Sequence, residues 1–373
     1  MKLAIVHDFL LSYGGAERVI EQVHEIFPTA PIFTLRYNAK KMHHKMDGWD
    51  IRSSFVDNIP IVKDKGHTLA MNLYPLAIES FDFKEYDIVL SFSSTFAHGI
   101  ITQPKTTHIC YYHTPARFLW DYHFSYLKEK GWENGFKAPY AKKFLHKLRI
   151  WDYLAAQRPD VCFANSNTIK DRVSKFYRRE SDTIYPGVEV DNYNPTKKHQ
   201  DYYVTVCRLT KPKRVELAIE ASTKLQLPLH VIGTGEELEN LKAIAGPTIK
   251  FCGFLNDKEV ADELASAKAL LWPNIDDFGL VPVEAMASGT PVVAYNMGGA
   301  TETVVHGKTG VLFNDQTVDG LIEGIQELDK ILPNPDAKVI RAHAEQFSKI
   351  AFQKNIKAIV DKEYQKLNAK NAK

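Results

Sequence analysis

The sequence predicts an α/β fold of two Rossmann-like domains with parallel sheets facing across a cleft. Three observations predict it. Short β-rich apolar runs alternate with helical patterns from end to end, the pattern of parallel sheets covered by helices. The chain has 373 residues, too many for one typical core. A polar, proline-containing stretch without period, GVEVDNYNPTKKHQD at 187–201, separates two such series and reads as a linker. This places the division at 1–187 and 188 onward.

In the first series KLAIVH reads as a strand, and AERVIEQVHEIF as a helix with Val19, Ile20, Val23, Ile26 and Phe27 on one side. DIVLSFS, THICYYH, VCFANS and DTIYPG read as further buried strands. In the second series the strands are YYVTVCRL, PLHVIGTG, TIKFCGF, ALLWPN, PVVAYN and TGVLF. The helices are RVELAIEASTKL, EELENLKAIA, DKEVADELASA and PVEAMASG, and the pattern is helical from 316 on. The halves match in architecture but not as a sequence repeat. In such sheets functional residues gather at the carboxyl ends of strands.

Composition excludes several classes. The net charge of +2 gives no argument for nucleic acid. No apolar run reaches the roughly 18 residues of a spanning helix. The opening MKLAIVHDFLLSYGGAERV does not read as a signal peptide, because His7-Asp8 and a glycine turn break its short apolar run. Cys110, Cys162, Cys207 and Cys252 are scattered with no CxxC pair, as expected of buried free thiols in a reducing cytoplasm, with a metal-binding or catalytic cysteine as the alternative.

Candidate sites follow from strand ends. Gly14 and Gly15 let a ligand approach the backbone at a helix start, which suits phosphate but also an empty tight turn. VIGTGEELENL fails as a dinucleotide fingerprint: the third glycine position is Leu238, and Glu236 and Glu237 would repel a pyrophosphate. Arg208 ends a strand, and Lys213 stands at the next helix start. Two cations there oppose the helix dipole, so an anionic ligand would account for them, as would simple solvation. In HICYYHTPARFLWDYH, His113 closes a strand. It would hydrogen-bond a sugar hydroxyl or carry a proton near neutral pH. Arg117 would hold an anion, and Tyr112, Phe118 and Trp120 offer stacking surface. In DDFGLVPVEAMASG, Pro282 suits a first helical turn and Gly289 its end. Glu284 is either a helix-dipole partner or a site residue. FKAPYAKKFLHKLRIWDYLAAQR puts Tyr140, Phe144, Leu148 and Trp151 on one stripe, with Lys142, Lys143, Lys147 and Arg149 mostly elsewhere. That fits an anionic membrane surface or a core helix with a solvated face.

Taken together, GGAERV, RLTKPKRVELAIEA and DDFGLVPVEAMASGTPVVAYNMGGATETVVHGKTGVLF resemble the family four glycosyltransferases of GT-B architecture, over nearly the whole chain. VHDFLLSYGGAERV, HTPARFLWD, LRIWDYLAAQRPDVCFANS and IYPGVEVDNY are similar to the bacterial envelope-polysaccharide mannosyltransferase branch. The resemblance implies a retaining, metal-independent transfer of a hexose, mannose from GDP-mannose, to a lipid-linked or polysaccharide acceptor. It implies an acceptor domain at 1–187, a nucleotide-sugar domain at 188–344, and a final helix, about 345–373, packing back on the first. Arg208 and Lys213 would neutralise the donor diphosphate, and Glu284 would bind the ribose. Asp276 and the backbone of Phe278, Gly279 and Leu280 would meet the sugar. His113 would lie near its reactive carbon, Gly14 and Gly15 near the phosphates or acceptor, and Gly253, Phe254 and Leu255 near the base. Arg117 and Trp120 fall to the acceptor. One position departs from the pattern: the first acid of the E-x7-E motif is Asp276, one methylene shorter than the usual Glu. The expected location is the cytoplasm, with peripheral contact to an anionic membrane. The competing classes are an epimerase or a phosphorylase of the same shape, and a non-catalytic nucleotide-sugar-binding protein.

Overall fold

The computed structural model describes residues 1–42, 44–59, 70–195 and 200–371. The chain divides into two compact units, 1–185 with 353–373, and 186–352.

The first unit holds seven strands, β1 (Leu3–Leu10), β2 (Ile32–Tyr37), β3 (Ile51–Ser53), β4 (Ile88–Ser93), β5 (Thr107–Tyr112), β6 (Val161–Ala164) and β7 (Asp182–Thr183). They form one all-parallel sheet in the order β3-β2-β1-β4-β5-β6-β7. The second unit holds β8 (Tyr203–Val206), β9 (Leu229–Ile232), β10 (Ile249–Gly253), β11 (Ala269–Trp272), β12 (Val292–Tyr295) and β13 (Gly310–Phe313). This sheet is also all-parallel, in the order β10-β9-β8-β11-β12-β13. Both sheets therefore grow outward in the same order, and each reverses direction once, between β1 and β4 and between β8 and β11. Ligands in open parallel sheets bind beyond the strand carboxyl ends at that reversal.

The central strands are buried on both faces, which is why they read as apolar runs. The helix Gly15–Ile26 buries Val19, Ile20 and Val23 as its periodicity predicts. Several elements differ from the reading. Strand β2, IFTLRY, is almost wholly buried but holds Thr34 and Arg36, polar residues that hide its strand pattern. DTIYPG yields only the two-residue edge strand β7, paired on one side and partly exposed. The expected linker is not a linker over 187–195: Val188, Val190 and Tyr193 are buried in the second unit, and Val188 bridges to Ser348. Residues 196–199 of that stretch lie outside the described residues.

In the helix Ala138–Ala155 the buried row is Ala138, Leu145, Leu148, Asp152 and Ala155. Phe144 and Trp151 sit at its margin, and Tyr140, assigned to the same stripe from sequence, is 77% exposed. The final helix is Lys349–Asn371, and its Gln353 donates Nε2 to Gln22 O (2.9 Å) and Glu25 Oε2 (2.8 Å) within the first unit. Among the described residues, no helix is long and apolar enough to cross a membrane.

Candidate active site

In the second unit the site residues flank the reversal between β8 and β11. Beyond β8 the backbone is stitched to the loop after β9. Leu209 N donates to Thr234 O (2.9 Å) and Glu237 N to Leu209 O (3.0 Å). A Cβ on Gly233 would come within 1.9 Å of Cys207 O, and one on Gly235 within 2.1 Å of Leu209 O. The glycines of VIGTG thus serve close backbone approach, and they brace the loop that carries Arg208, whose side chain is exposed.

Pro212 lies in the short turn Lys211–Lys213. Arg214 follows with a left-handed φ of 52° and pairs with Glu216 at 2.5 Å. Lys213 faces the end of β11. Its Nζ lies 2.5 Å from Asp276 Oδ1 and 5.7 Å from the centre of the Trp272 ring. Of the two acids in DDFG, Asp276 is thereby the one set against the basic motif.

The loop 273–279 is held from several sides. Gln316 Nε2 donates to Pro273 O (2.9 Å), and Gly299 N donates to Asp276 O (2.9 Å). A Cβ on Gly299 would fall 2.0 Å from Phe278 O, which explains the second glycine of NMGG. Phe278 is an anchor rather than a ligand face: it is 3% exposed and meets Phe347 edge-on at 5.7 Å. That leaves its backbone, with Gly279 as N-cap, at the start of the helix Leu280–Ala287. First-turn amides have no carbonyl partner inside their helix and favour negative charge. No acid occupies that turn. Glu284 lies a turn further on, buried at 5% exposure. The far end of the helix is fastened by Arg341, whose Nη1 donates to Ala287 O, Val190 O and Tyr193 O. Gly253 ends the edge strand β10 and Phe254 and Leu255 follow it, with Phe254 74% exposed.

In the first unit the corresponding reversal is built from buried polar groups. The Asp8 carboxylate, 3% exposed, accepts the backbone N–H groups of Ser94 (2.5 Å), Thr95 (2.9 Å), Phe96 (2.7 Å) and Ala97 (2.6 Å). It fixes the loop after β4. Sequence reasoning missed it, although an acid inside the apolar run LAIVHDFL was a visible signal.

His113 donates its backbone N–H to Ser93 O (2.8 Å) and is 8% exposed. Its Nε2 is buried without a hydrogen-bond partner, and its ring stands edge-on to His7 at 6.0 Å. Burial, with His7 nearby, pushes His113 down to about 3. That leaves the imidazole neutral at pH 7, which favours the hydrogen-bonding reading of His113. His7 Nε2 lies 3.6 Å from Glu17 Oε1, in the first turn behind Gly14 and Gly15. That acid opposes a phosphate at this helix start.

The expected stacking surface is mostly interior. Tyr112 is fully buried. Trp120 stacks on Phe176 (5.2 Å, 15°) and donates Nε1 to Asp152 Oδ2 (2.7 Å). A tryptophan beside a proline loop looks open in sequence, but the buried Asp152 draws its indole N–H inward. Arg117 Nε lies 3.7 Å from Asp121, which Arg172 also approaches at 3.4 Å. Ser93 Oγ, His98 and Asp152 line up like a hydrolase triad (2.8 and 3.4 Å), but none is more than 1% exposed. It is a structural brace.

Residues 189–347 match the profile of the family described as Glycosyl transferases group 1. The GDP-mannose-dependent alpha-(1-6)-phosphatidylinositol monomannoside mannosyltransferase of Mycobacterium tuberculosis is 28% identical over 199 residues, 45% of this chain and 52% of that one. The D-inositol 3-phosphate glycosyltransferase of Gordonia bronchialis is 28% identical over 238 residues, 53% of this chain and 51% of that one. The chain spans about half the length of the curated relatives it matches. Anabaena HepE, solved in complex with UDP, superposes with a TM-score of 0.71 at 18% identity, covering 97% of this chain and 100% of that one. At that identity the likeness shows the fold, which is GT-B.

Proposed function

We propose, from the premise that residues 189–347 form a group 1 glycosyltransferase domain, that the chain is a retaining hexosyltransferase using a nucleotide-sugar donor. The observation that carries this is the Lys213–Asp276 pair. A cation from the β8 end and an acid from the β11 end meet across the reversal of the sheet, with the exposed Arg208 in the same basic loop. Lys213 and Arg208 take the donor diphosphate, Glu284 the ribose, and Asp276 the sugar hydroxyls. The amides of Gly279 and Leu280 face the same ligand. Before donor arrives, Asp276 holds Lys213 at the strand end. A diphosphate then competes for that ammonium and frees the carboxylate for the sugar.

The step breaks the bond between the sugar's anomeric carbon and the phosphate oxygen. The acceptor hydroxyl forms the new bond on the same face and gives its proton to the departing phosphate. Negative charge grows on that phosphate in the transition state, so pre-placed cations lower the barrier without a metal. Neutral His113 serves as a hydrogen-bonding partner of the sugar.

GDP-mannose is the proposed donor, supported by the mannosyltransferase relative; the HepE complex with UDP is the reason to test the base directly. A thermal-shift series with GDP-mannose, UDP-glucose and ADP-glucose tests it. A ligand at 100 times its Kd stabilises by about 2.7 kcal/mol. Selective stabilisation by GDP-mannose supports the reading, and equal shifts remove the GDP preference. An α-linked product from GDP-mannose, read by NMR, supports retention. A UDP-sugar converted without acceptor would identify an epimerase instead.

The proposed acceptor side is an anionic membrane. On the helix Ala138–Ala155 the only carboxylate, Asp152, is buried, while Lys142, Lys143 and Lys147 are exposed. Exposed Tyr140, Ile150 and Leu154 lie on the same helix, and Phe124 and Phe136 just before it are more than 80% exposed. Cation and aromatic at one surface suit an anionic headgroup layer. Flotation with anionic vesicles at low salt tests this. Absence of flotation, with no effect of removing the three lysine charges, ends the proposal.

A further inference from the structure

The outer edge of the second sheet carries a cluster that the glycosyl-transfer site does not use. His230 on β9, Cys252 on β10 and Glu263 on the helix Asp257–Ser266 bring one ligating atom each to within 4.8 Å of one another. All three are half-buried, between the core and open solvent. His230 Nδ1 and Glu263 Oε2 lie within hydrogen-bond distance at 2.7 Å. Two further features show the arrangement is held. Tyr202 stacks on the imidazole at 4.0 Å and 23°, and gives its hydroxyl to Glu263 O at 3.1 Å, fixing both ligand residues from one side. On β10 the register slips between Phe251 and Gly253, so that Cys252 is an extra residue in a parallel pair. Bulges of this kind re-aim a side chain.

We propose that His230, Cys252 and Glu263 form a binding site for a borderline divalent cation of the Zn2+ class, clipping β9, β10 and the helix Asp257–Ser266 together. Imidazole, thiolate and carboxylate are the zinc donor types, at about 2.0–2.3 Å from the ion. On binding, the ion displaces the hydrogen in the His230–Glu263 contact, the Cys252 thiol gives up its proton to become the third ligand, both protons pass to solvent, and one position is left for water. Tyr202 acts as the outer support that fixes ligand orientation. The clip adjoins Gly253–Leu255, so occupancy sets the geometry of the segment assigned to the donor base.

Co2+ titration of the full chain under reducing conditions tests this. The expected result is one Co2+ per chain, with an intense near-ultraviolet thiolate-to-metal band and visible bands of a four-coordinate ion, displaced by Zn2+. Cys252→Ser removes the thiolate band. His230→Ala and Glu263→Gln weaken binding by about tenfold or more. Zn2+ raises the melting temperature of the wild type and not of Cys252→Ser, whose metal-free melting stays unchanged. A wild type without the band, or a band that persists in Cys252→Ser, overturns the site. Neither readout depends on transferase activity.

Discussion

The two units share one strand order, yet the ends of their central strands are built from opposite materials. At β8 and β11 the groups are charged and partly exposed: Arg208, Lys213 and Asp276. At β1, β4 and β5 they are buried, and the histidine among them is neutral: Asp8 is spent on four backbone amides, and His113 sits at 8% exposure. The topology places a site in both. Among these described strand-end residues, the exposed cation, Arg208, belongs to the second. The first has a shaped wall whose buried imidazoles leave nitrogens without a hydrogen-bond partner, His7 Nδ1 and His113 Nε2 among them. In the proposed reading this difference divides the work, with diphosphate chemistry in the second unit and shape with hydrogen bonding in the first.

The comparison breaks most directly at Lys213. Lys213→Ala removes the charge that the proposed mechanism sets against the leaving group, and is expected to cost about 2–4 kcal/mol of transition-state stabilisation, as for a lost oxyanion donor. Turnover of GDP-mannose measures it, and near-unchanged transfer would refute the division of labour. Asp276 refines the point. Asp276→Ala frees Lys213 but removes the sugar partner, so transfer falls while diphosphate binding persists. Asp276→Glu keeps the charge and adds the methylene usual in the family. If the alanine variant matches wild type, Asp276 is no site residue.

In the first unit the expected failure is structural. Asp8→Asn keeps an acceptor but loses the charge, leaving buried amides poorly satisfied. It is expected to destabilise the protein by about 3 kcal/mol in chemical denaturation. Loss of transfer without loss of stability would mean that Asp8 acts on substrate and not on the loop.

Acid separates the units a third way. Burial holds His108 and His113 at about 3, against 6.5 in the unfolded chain. Between those values the unfolded state binds more protons, so stability is full above about pH 6.5 and is lost as pH falls toward 3. Each histidine contributes a slope of about 1.4 kcal/mol per pH unit in that window. Denaturation across pH 4.5–7.5, wild type against His108→Gln and His113→Gln, checks it. Equal slopes in all three proteins would show that neither histidine is held neutral.

Legibility followed the same boundary. Arg208, Lys213, Asp276 and Glu284 stood out because charges at strand ends need a reason, and the structure sets Lys213 on Asp276 and buries Glu284 in the helix beside them. The first unit was harder to read. Polar residues enclosed in a sheet look in sequence like interruptions, so Asp8 was passed over and β2 went unseen behind Thr34 and Arg36. Trp120 looked like open surface because its partner, Asp152, lies 32 residues away. Glycine meaning was also ambiguous: those of VIGTG brace backbone against Cys207 and Leu209, which no local pattern reveals.

The smallest predicted effect concerns Phe254. Its ring is 74% exposed and follows a glycine with open space around it, so it contributes little to the core. An exposed aromatic at a strand end offers a face for a nucleobase, worth about 1 kcal/mol for one stacked base. Phe254→Ala is therefore expected to leave the melting temperature unchanged and weaken donor binding about fivefold. Calorimetry with the nucleoside diphosphate alone isolates the base and phosphates from the sugar. A fivefold loss shared by GDP-mannose and GDP puts the ring on the base. A loss seen only with the complete donor moves it to the sugar, and an unchanged affinity removes Phe254 from the site and leaves the second unit's recognition to its charges.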